Sequence, residues 1–193
     1  MGDVTRIIAG FAGSLRLAVP ATGTRPTSDR IREAIFSALE SRDAIVGCRV
    51  LDLYAGSGAL GLESASRGAS SVTLVESSPK GVRVCRSNAA LIAGKAPRPV
   101  PIEVVPRPVQ TFLESTPGTY DLVFSDPPYE LGNAELEASL VALVPRLAPE
   151  ALLVLERSSR SPEPVWPEGL ALERLKNYGD TTLYWVRATG FES

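Results

Sequence analysis

The sequence predicts an α/β fold, a mostly parallel sheet closed by an antiparallel hairpin. Three observations carry that prediction. From residue 49 onward, short apolar runs of strand length alternate with helical repeats. Such β-α alternation requires right-handed crossovers and helices on both faces of a parallel sheet. Near the end the pattern changes: "LALERLKNY" and "TTLYWVRA" alternate apolar and polar residues around Gly179-Asp180, which reads as a β-hairpin. Finally, 193 residues that are 44% hydrophobic suit one domain with a substantial core.

The elements follow in order. "VTRIIAG" and "SLRLAVP" read as two short strands around a turn at Phe11-Ala12-Gly13. Residues 1–24 are therefore expected to form a small β-hairpin extension, with the main domain spanning 25–193. "ATGTRPTSDR" is rich in turn formers; Thr27 is placed to cap a helix whose first turn holds Asp29. Ile31, Ile35 and Leu39 give that helix one apolar face. "RVLDLY" is a strand and "ALGLESASRG" a helix ended by Gly68. "SVTLVE" is a strand, and Ser78-Pro79 opens the next helix as a cap followed by proline. "IEVV" and "YDLVFS" are further strands, the second running into "DPPY". "NAELEASLVALVPRL" is helical and "ALLVLE" is the fifth strand of the series. The proline-rich "GKAPRPVPIEVVPRPV" is short enough to be loop and strand.

Composition excludes several function classes. There is no histidine, so catalysis by Ser-His-Asp or Cys-His constellations is absent. Cys48 and Cys85 stand apart in sequence, without a C-x-x-C pair, and no metal site is expected. Two lone cysteines, no apolar run of membrane length and no secretory leader point to a reducing cytoplasm. The net charge is −2, unlike proteins that coat nucleic acid indiscriminately. Charge is nevertheless uneven: Arg6, Arg16, Arg25, Arg30 and Arg32 outnumber Asp3 and Asp29 near the start. Arginine-rich composition throughout and a phosphate-binding patch are both open readings of that excess.

"DLYAGSGALG", at Asp52 to Gly61, contains G-x-G-x-x-G between a strand and a helix. That is the context of a nucleotide-binding turn, where glycine lets the backbone approach a ligand. Glu76 follows the next strand, placed to accept the hydroxyls of a ribose. Asp52 separates the two obvious ligands. A dinucleotide would set its anionic pyrophosphate beside this carboxylate, and the two would repel. S-adenosylmethionine (AdoMet) has no phosphate and carries a cationic amine and a sulfonium, which a carboxylate favours.

"SDPPY" then ends a strand at the carboxyl edge of the sheet, where open α/β sheets bind ligands. The Asp126 carboxylate and the Pro127 carbonyl can accept the two hydrogens of an exocyclic amine. Pro127 and Pro128 stiffen the turn, and Tyr129 offers a face on which a base can stack. An amine held this way has its lone pair aimed at the methyl carbon. Such a base must be unpaired or flipped out. Together the glycine loop, Glu76 and "DPPY" point to AdoMet-dependent methylation of an amine.

"RIIAG", "RPTSDRIREAIFSAL", "LDLYAGSGALGLESASRGA" and "DPPY" resemble the bacterial 16S ribosomal RNA guanine-N2 methyltransferase family. The resemblance runs from Arg6 to Tyr129 and weakens beyond; its most specific element lies between Arg25 and Phe36. It implies a Rossmann-like, seven-stranded AdoMet-dependent methyltransferase sheet. It implies cofactor contacts from Asp52, Tyr54, Ala55, Gly56, Ser57, Gly58, Glu76 and Ser77, with Thr27 closing over the cofactor. It implies Asp126, Pro127, Pro128 and Tyr129 at the target amine, which in the family is guanine 966 of 16S rRNA. The arginines at 6, 16, 25, 30 and 32 would meet RNA phosphates of an assembled or assembling small subunit. A monomer is expected. One segment departs from the family pattern: "VVPRPVQTF" lacks an Asn or Asp near the adenine, leaving the Val109 amide and apolar packing for that role. Competing readings are a DNA adenine-N6 or cytosine-N4 aminomethyltransferase, a protein-glutamine methyltransferase, and a non-catalytic AdoMet-binding RNA scaffold.

Overall fold

The computed structural model describes residues 5–21 and 27–190. At the start, β1 (Thr5–Arg6) and β2 (Arg16–Leu17) pair antiparallel. These strands are two residues each, shorter than the sequence pattern suggests, because the turn between them takes up residues 9–14. Pairing is extended by Ile7 N–H to Leu15 O at 2.9 Å and Ser14 N–H to Ile7 O at 2.8 Å. Helix α1 (Asp29–Glu40) buries Ile31, Ile35 and Leu39 as its periodicity requires. Its cap is Ser28, whose side chain accepts from Ile31 N; Thr27, the residue expected in that role, is engaged elsewhere.

The main sheet comprises β3 (Arg49–Leu53), β4 (Ser71–Val75), β5 (Ile102–Val105), β6 (Tyr120–Ser125), β7 (Leu147–Ser158), β8 (Leu170–Tyr178) and β9 (Thr181–Ala188). Their order is β5-β4-β3-β6-β7-β9-β8. The first five are mutually parallel, and β9 enters antiparallel between β7 and β8. Seven strands with a closing hairpin is the expected architecture. Helices α2 (Ala59–Ser66), α3 (Pro79–Ala93), α4 (Val109–Ser115) and α5 (Asn133–Leu143) make the crossovers. Helix α4 has no counterpart among the sequence expectations. It is seven residues long, too short to show a helical period, and begins directly after Pro108. Among the described residues no helix is long and apolar enough to cross a membrane.

Residues alternate between two cores. Val50, Val72, Leu74, Leu122, Phe124 and Val154 pack on one face with α1, α2 and α3. Leu51, Leu53, Val75, Val123, Leu153 and Leu155 pack on the other with α4 and α5. Burial on both sides explains why these strands read as nearly continuous apolar runs.

The N-terminal hairpin belongs to this body. Ile7, Ala12 and Leu17 join the first core. Asn88 of α3 accepts from Ala18 N and donates to Ala18 O, both at 2.9 Å. The fully buried Glu63 of α2 accepts from Ile8 N at 2.7 Å, Ala9 N at 3.0 Å and Arg67 Nε at 2.8 Å. Arg32 lies 4.0 Å from the same carboxylate and donates through NH2 to Arg6 O at 2.6 Å and to Asp29 at 2.8 Å. Arg32 is wholly buried, which corrects the expectation that it meets RNA phosphates: its guanidinium ties hairpin, α1 and α2 together. Replacing Glu63 by leucine strands these donors without an acceptor. The expected cost is about 3–5 kcal/mol, as for other broken buried ion pairs, read as a lowered urea midpoint.

Candidate active site

Strand order makes the site. β3 leads outward to β4 and β5, and the chain then returns to place β6 on the other side of β3. The carboxyl ends of β3 and β6 therefore flank a topological switch point, where open α/β sheets form a ligand crevice. Asp52 is the fourth residue of β3 and pairs with Phe124. Leu53 pairs with Ser125, and Ser125 with Leu155, so Asp126, just past β6, comes beside Glu156, which lies within β7.

After β3 the backbone turns sharply. Tyr54, Gly56 and Gly58 have φ of 60°, 58° and 80°. Gly56 sits in open space: a Cβ there would meet no atom within 4 Å. Gly58 is packed, with Cys85, Leu62 and Leu74 each 3.2 Å from where its Cβ would be, and it serves as the N-cap of α2. The two glycines thus do different work, one facing a void and one seating a helix. Glu76, just past β4, braces the turn: its carboxylate accepts from Gly56 N and from Ser78 N, both at 2.8 Å. Asp52 accepts from Gly61 N in the first turn of α2 at 2.9 Å. Burial pushes the Asp52 carboxyl up to about 7; the Gly61 amide opposes that shift and Glu76 adds to it.

A cavity of about 400 Å³ opens over this turn, within the range of small-molecule sites. Its wall includes Asp52, Tyr54, Ala55, Gly56, Ser57, Glu76, Ser77 and Val109 at one end, and Thr27, Asp126 and Pro128 at the other. Val109 is the first residue of α4, where a helix leaves its amides without intrahelical partners. Gly58 is not on the wall. Thr5, Val19 and Pro20, contributed by the hairpin, are, although nothing in their sequence context marks them. Cys85 lies behind the loop as a buried thiol, pushed up by burial and by Asp52 and Glu76.

Pro127 and Tyr129 face a smaller adjoining pocket of about 70 Å³, shared with Asp126, Pro128 and Glu156. Tyr129 is 67% exposed, an aromatic face with nothing upon it. Asp126 is half-buried between the two pockets. Its carboxyl is raised well above the carboxylate range by burial first, then by Glu156 and Asp52, while the Thr27 hydroxyl opposes the shift. Glu156 was not among the expected site residues. A signal existed, since "LLVLE" closes an apolar run on a glutamate as "SVTLVE" does.

Among the arginines expected at RNA, Arg6, Arg16 and Arg30 are exposed, and Arg6 and Arg16 stand opposite one another across the hairpin. Arg25 lies outside the described residues.

A single cavity thus joins a braced glycine turn to the aspartate-proline-proline-tyrosine loop. The model of conserved hypothetical protein 95 matches residues 5–187. The chain belongs to that family. It is 36% identical over 189 residues to ribosomal RNA small subunit methyltransferase D of Escherichia coli K12, covering 96% of this chain and 91% of that protein. It is 33% identical over 181 residues to the Haemophilus influenzae protein of the same name, covering 92% and 90%. The solved structure of YhhF from Escherichia coli superposes with a TM-score of 0.81 at 35% identity, covering 97% of this chain and 99% of that one.

Proposed function

We propose that this protein is an AdoMet-dependent methyltransferase acting on the exocyclic N2 amine of a guanine in 16S rRNA, at the position the family numbers 966. The observation that carries the reading is the single cavity bordered by Asp52, Gly56 and Glu76 at one end and by Asp126 at the other. A cofactor and an amine acceptor must meet in this way for direct transfer. Membership of a family that includes ribosomal RNA small subunit methyltransferase D supports the RNA substrate.

The residues present fit AdoMet. Glu76 keeps free lone pairs for ribose hydroxyls while its N–H contacts fix its orientation. Asp52 offers a carboxylate to the amino group; Lys80 and Arg32 also border the cavity, and Arg32 is held by Arg6 O and Asp29. AdoMet, when bound, supplies an electrophilic methyl carbon. The chain supplies position: Asp126 and the Pro127 carbonyl accept the amine hydrogens, and Tyr129 stacks the flipped base. Stacking of this kind contributes about 1–3 kcal/mol. Arg6, Arg16 and Arg30 are exposed and contact the RNA, as is expected of Arg25, which lets a net-acidic protein bind RNA locally. The protein acts as a monomer in the cytoplasm.

The decisive assay is methyl transfer from labelled AdoMet to small subunits lacking the modification, with naked 16S rRNA and DNA in parallel. N2-methylguanosine in the nucleoside digest, absent with Asp126→Ala, is the expected product. N6-methyladenine in DNA would overturn the RNA assignment, and AdoMet binding without transfer to any acid would indicate a scaffold.

A further inference from the structure

Thr27, two residues before α1, meets the acceptor loop. Thr27 Oγ1 lies 3.3 Å from Asp126 Oδ2 and 2.9 Å from Glu156 Oε2. One hydroxyl therefore bridges two carboxyl groups, one just past β6 and one within β7. A threonine hydroxyl has one hydrogen and can donate only once. With both carboxylates ionised, one hydrogen would have to be shared between two acceptors in a half-buried site. Both contacts are full two-centre hydrogen bonds only if one carboxyl group carries a proton and donates it to Oγ1. Burial acts in the same direction on both groups, raising Glu156 as well as Asp126. Two carboxyl groups this close commonly hold one proton between them.

Their surroundings decide where that proton rests. Asp126 lines the large cavity together with Asp52 and Arg32, whereas Glu156 lines the small pocket. A cationic cofactor in the large cavity therefore favours the anion on Asp126 over that on Glu156. Arg157, beside Glu156 in β7, is turned away and donates to Leu131 O and Asn133 Oδ1.

We propose that Thr27 and Glu156 are positioning residues for the acceptor carboxylate: the protonated Glu156 donates to the Thr27 hydroxyl, which donates to Asp126 and holds it ionised and aimed at the amine. This rests on the methyl-transfer reading above. The arrangement also ties the acceptor to α1, the helix that presents Arg30, so a displaced N-terminal segment would release Asp126.

The test is single-turnover methyl transfer by the full-length protein to unmodified small subunits, with AdoMet affinity measured on each variant. Thr27→Val is expected to lower the rate about ten- to a hundredfold, the cost of a misaimed group, with AdoMet affinity unchanged. Thr27→Ser should restore most of it. Glu156→Ala should match Thr27→Val, while Glu156→Gln, whose amide N–H can replace the acid O–H, should keep most of the rate. A Glu156→Gln variant as slow as Glu156→Ala would overturn the proposal, since Glu156 would then be needed as an anion. So would Thr27→Val at the wild-type rate, or AdoMet affinity falling in step with rate. Infrared difference spectra between wild type and Glu156→Gln test the proton without any substrate. A protonated carboxyl band at neutral pH that disappears in the variant supports the proposal, and its absence from wild type overturns it. If the wild type transfers no methyl group yet shows the band, the activity reading fails and the proton assignment stands.

Discussion

Replacing Asp126 by alanine is expected to lower the methyl-transfer rate about a hundred- to ten-thousandfold, the range for losing a group that handles a proton at the reacting centre. AdoMet affinity should fall far less than the rate. The separation follows from geometry: Asp126 forms the far wall of the cavity, while the Gly56 turn and Glu76 form the near wall. Removing the carboxylate leaves the cofactor's own contacts in place and takes one acceptor from the amine. The Pro127 carbonyl remains, so the base can still enter, but its lone pair is no longer aimed. Asp126→Asn keeps the shape and one acceptor oxygen but loses the charge, and its amide hydrogens would oppose those of the substrate amine. It should therefore lie closer to alanine than to wild type. Single-turnover rates with saturating AdoMet, together with calorimetric affinities, check both expectations. A joint fall in rate and affinity would mean that Asp126 serves the cofactor instead.

How far the sequence could be read varies along the chain, for physical reasons. β3, β4, β6 and the middle of β7 were legible because strands buried on both faces must be apolar nearly throughout, and glycine, serine-proline and "DPPY" punctuate them. Helix α4 was not, since seven residues cannot display a period and Pro106 and Pro108 read as loop. Thr27 was read as a cap because its local context fits one, yet Ser28 fits equally well and only the folded chain brings Thr27 to Asp126, 99 positions away. Arg32 shows the opposite failure. Arginines clustered near an N-terminus suggest a phosphate surface, but Asp29 and the distant Glu63 draw this one inside. Local patterning thus reveals the elements and the loops they end in. Contacts between residues far apart in sequence, which decide whether a polar side chain serves the site or the scaffold, emerge only in three dimensions.

AdoMet should bind about tenfold more weakly at pH 6 than at pH 8, as linkage to one group titrating near 7 requires. The group is Asp52, whose carboxyl burial raises to about 7 from the 3.8 of a free side chain. A raised value in the folded state means that the protonated form is the one folding favours. Stability from this source is complete below the unfolded value and is lost as pH rises through about 7. A cation in the cavity reverses the preference, because only the ionised carboxylate attracts it. Binding near pH 6 must therefore release a proton, and affinity rises with pH until Asp52 is already ionised, then levels off. The same linkage makes the cofactor-induced rise in Tm larger at pH 8 than at pH 6. Asp126 is raised too, so the pH series needs Asp52→Asn beside wild type. That variant should bind more weakly at pH 8 and lose most of the pH dependence. Retained pH dependence in Asp52→Asn would transfer the effect to Asp126. A flat wild-type profile between pH 6 and 8 would show that Asp52 serves only to hold the Gly61 amide, and that the cofactor's charge is met elsewhere.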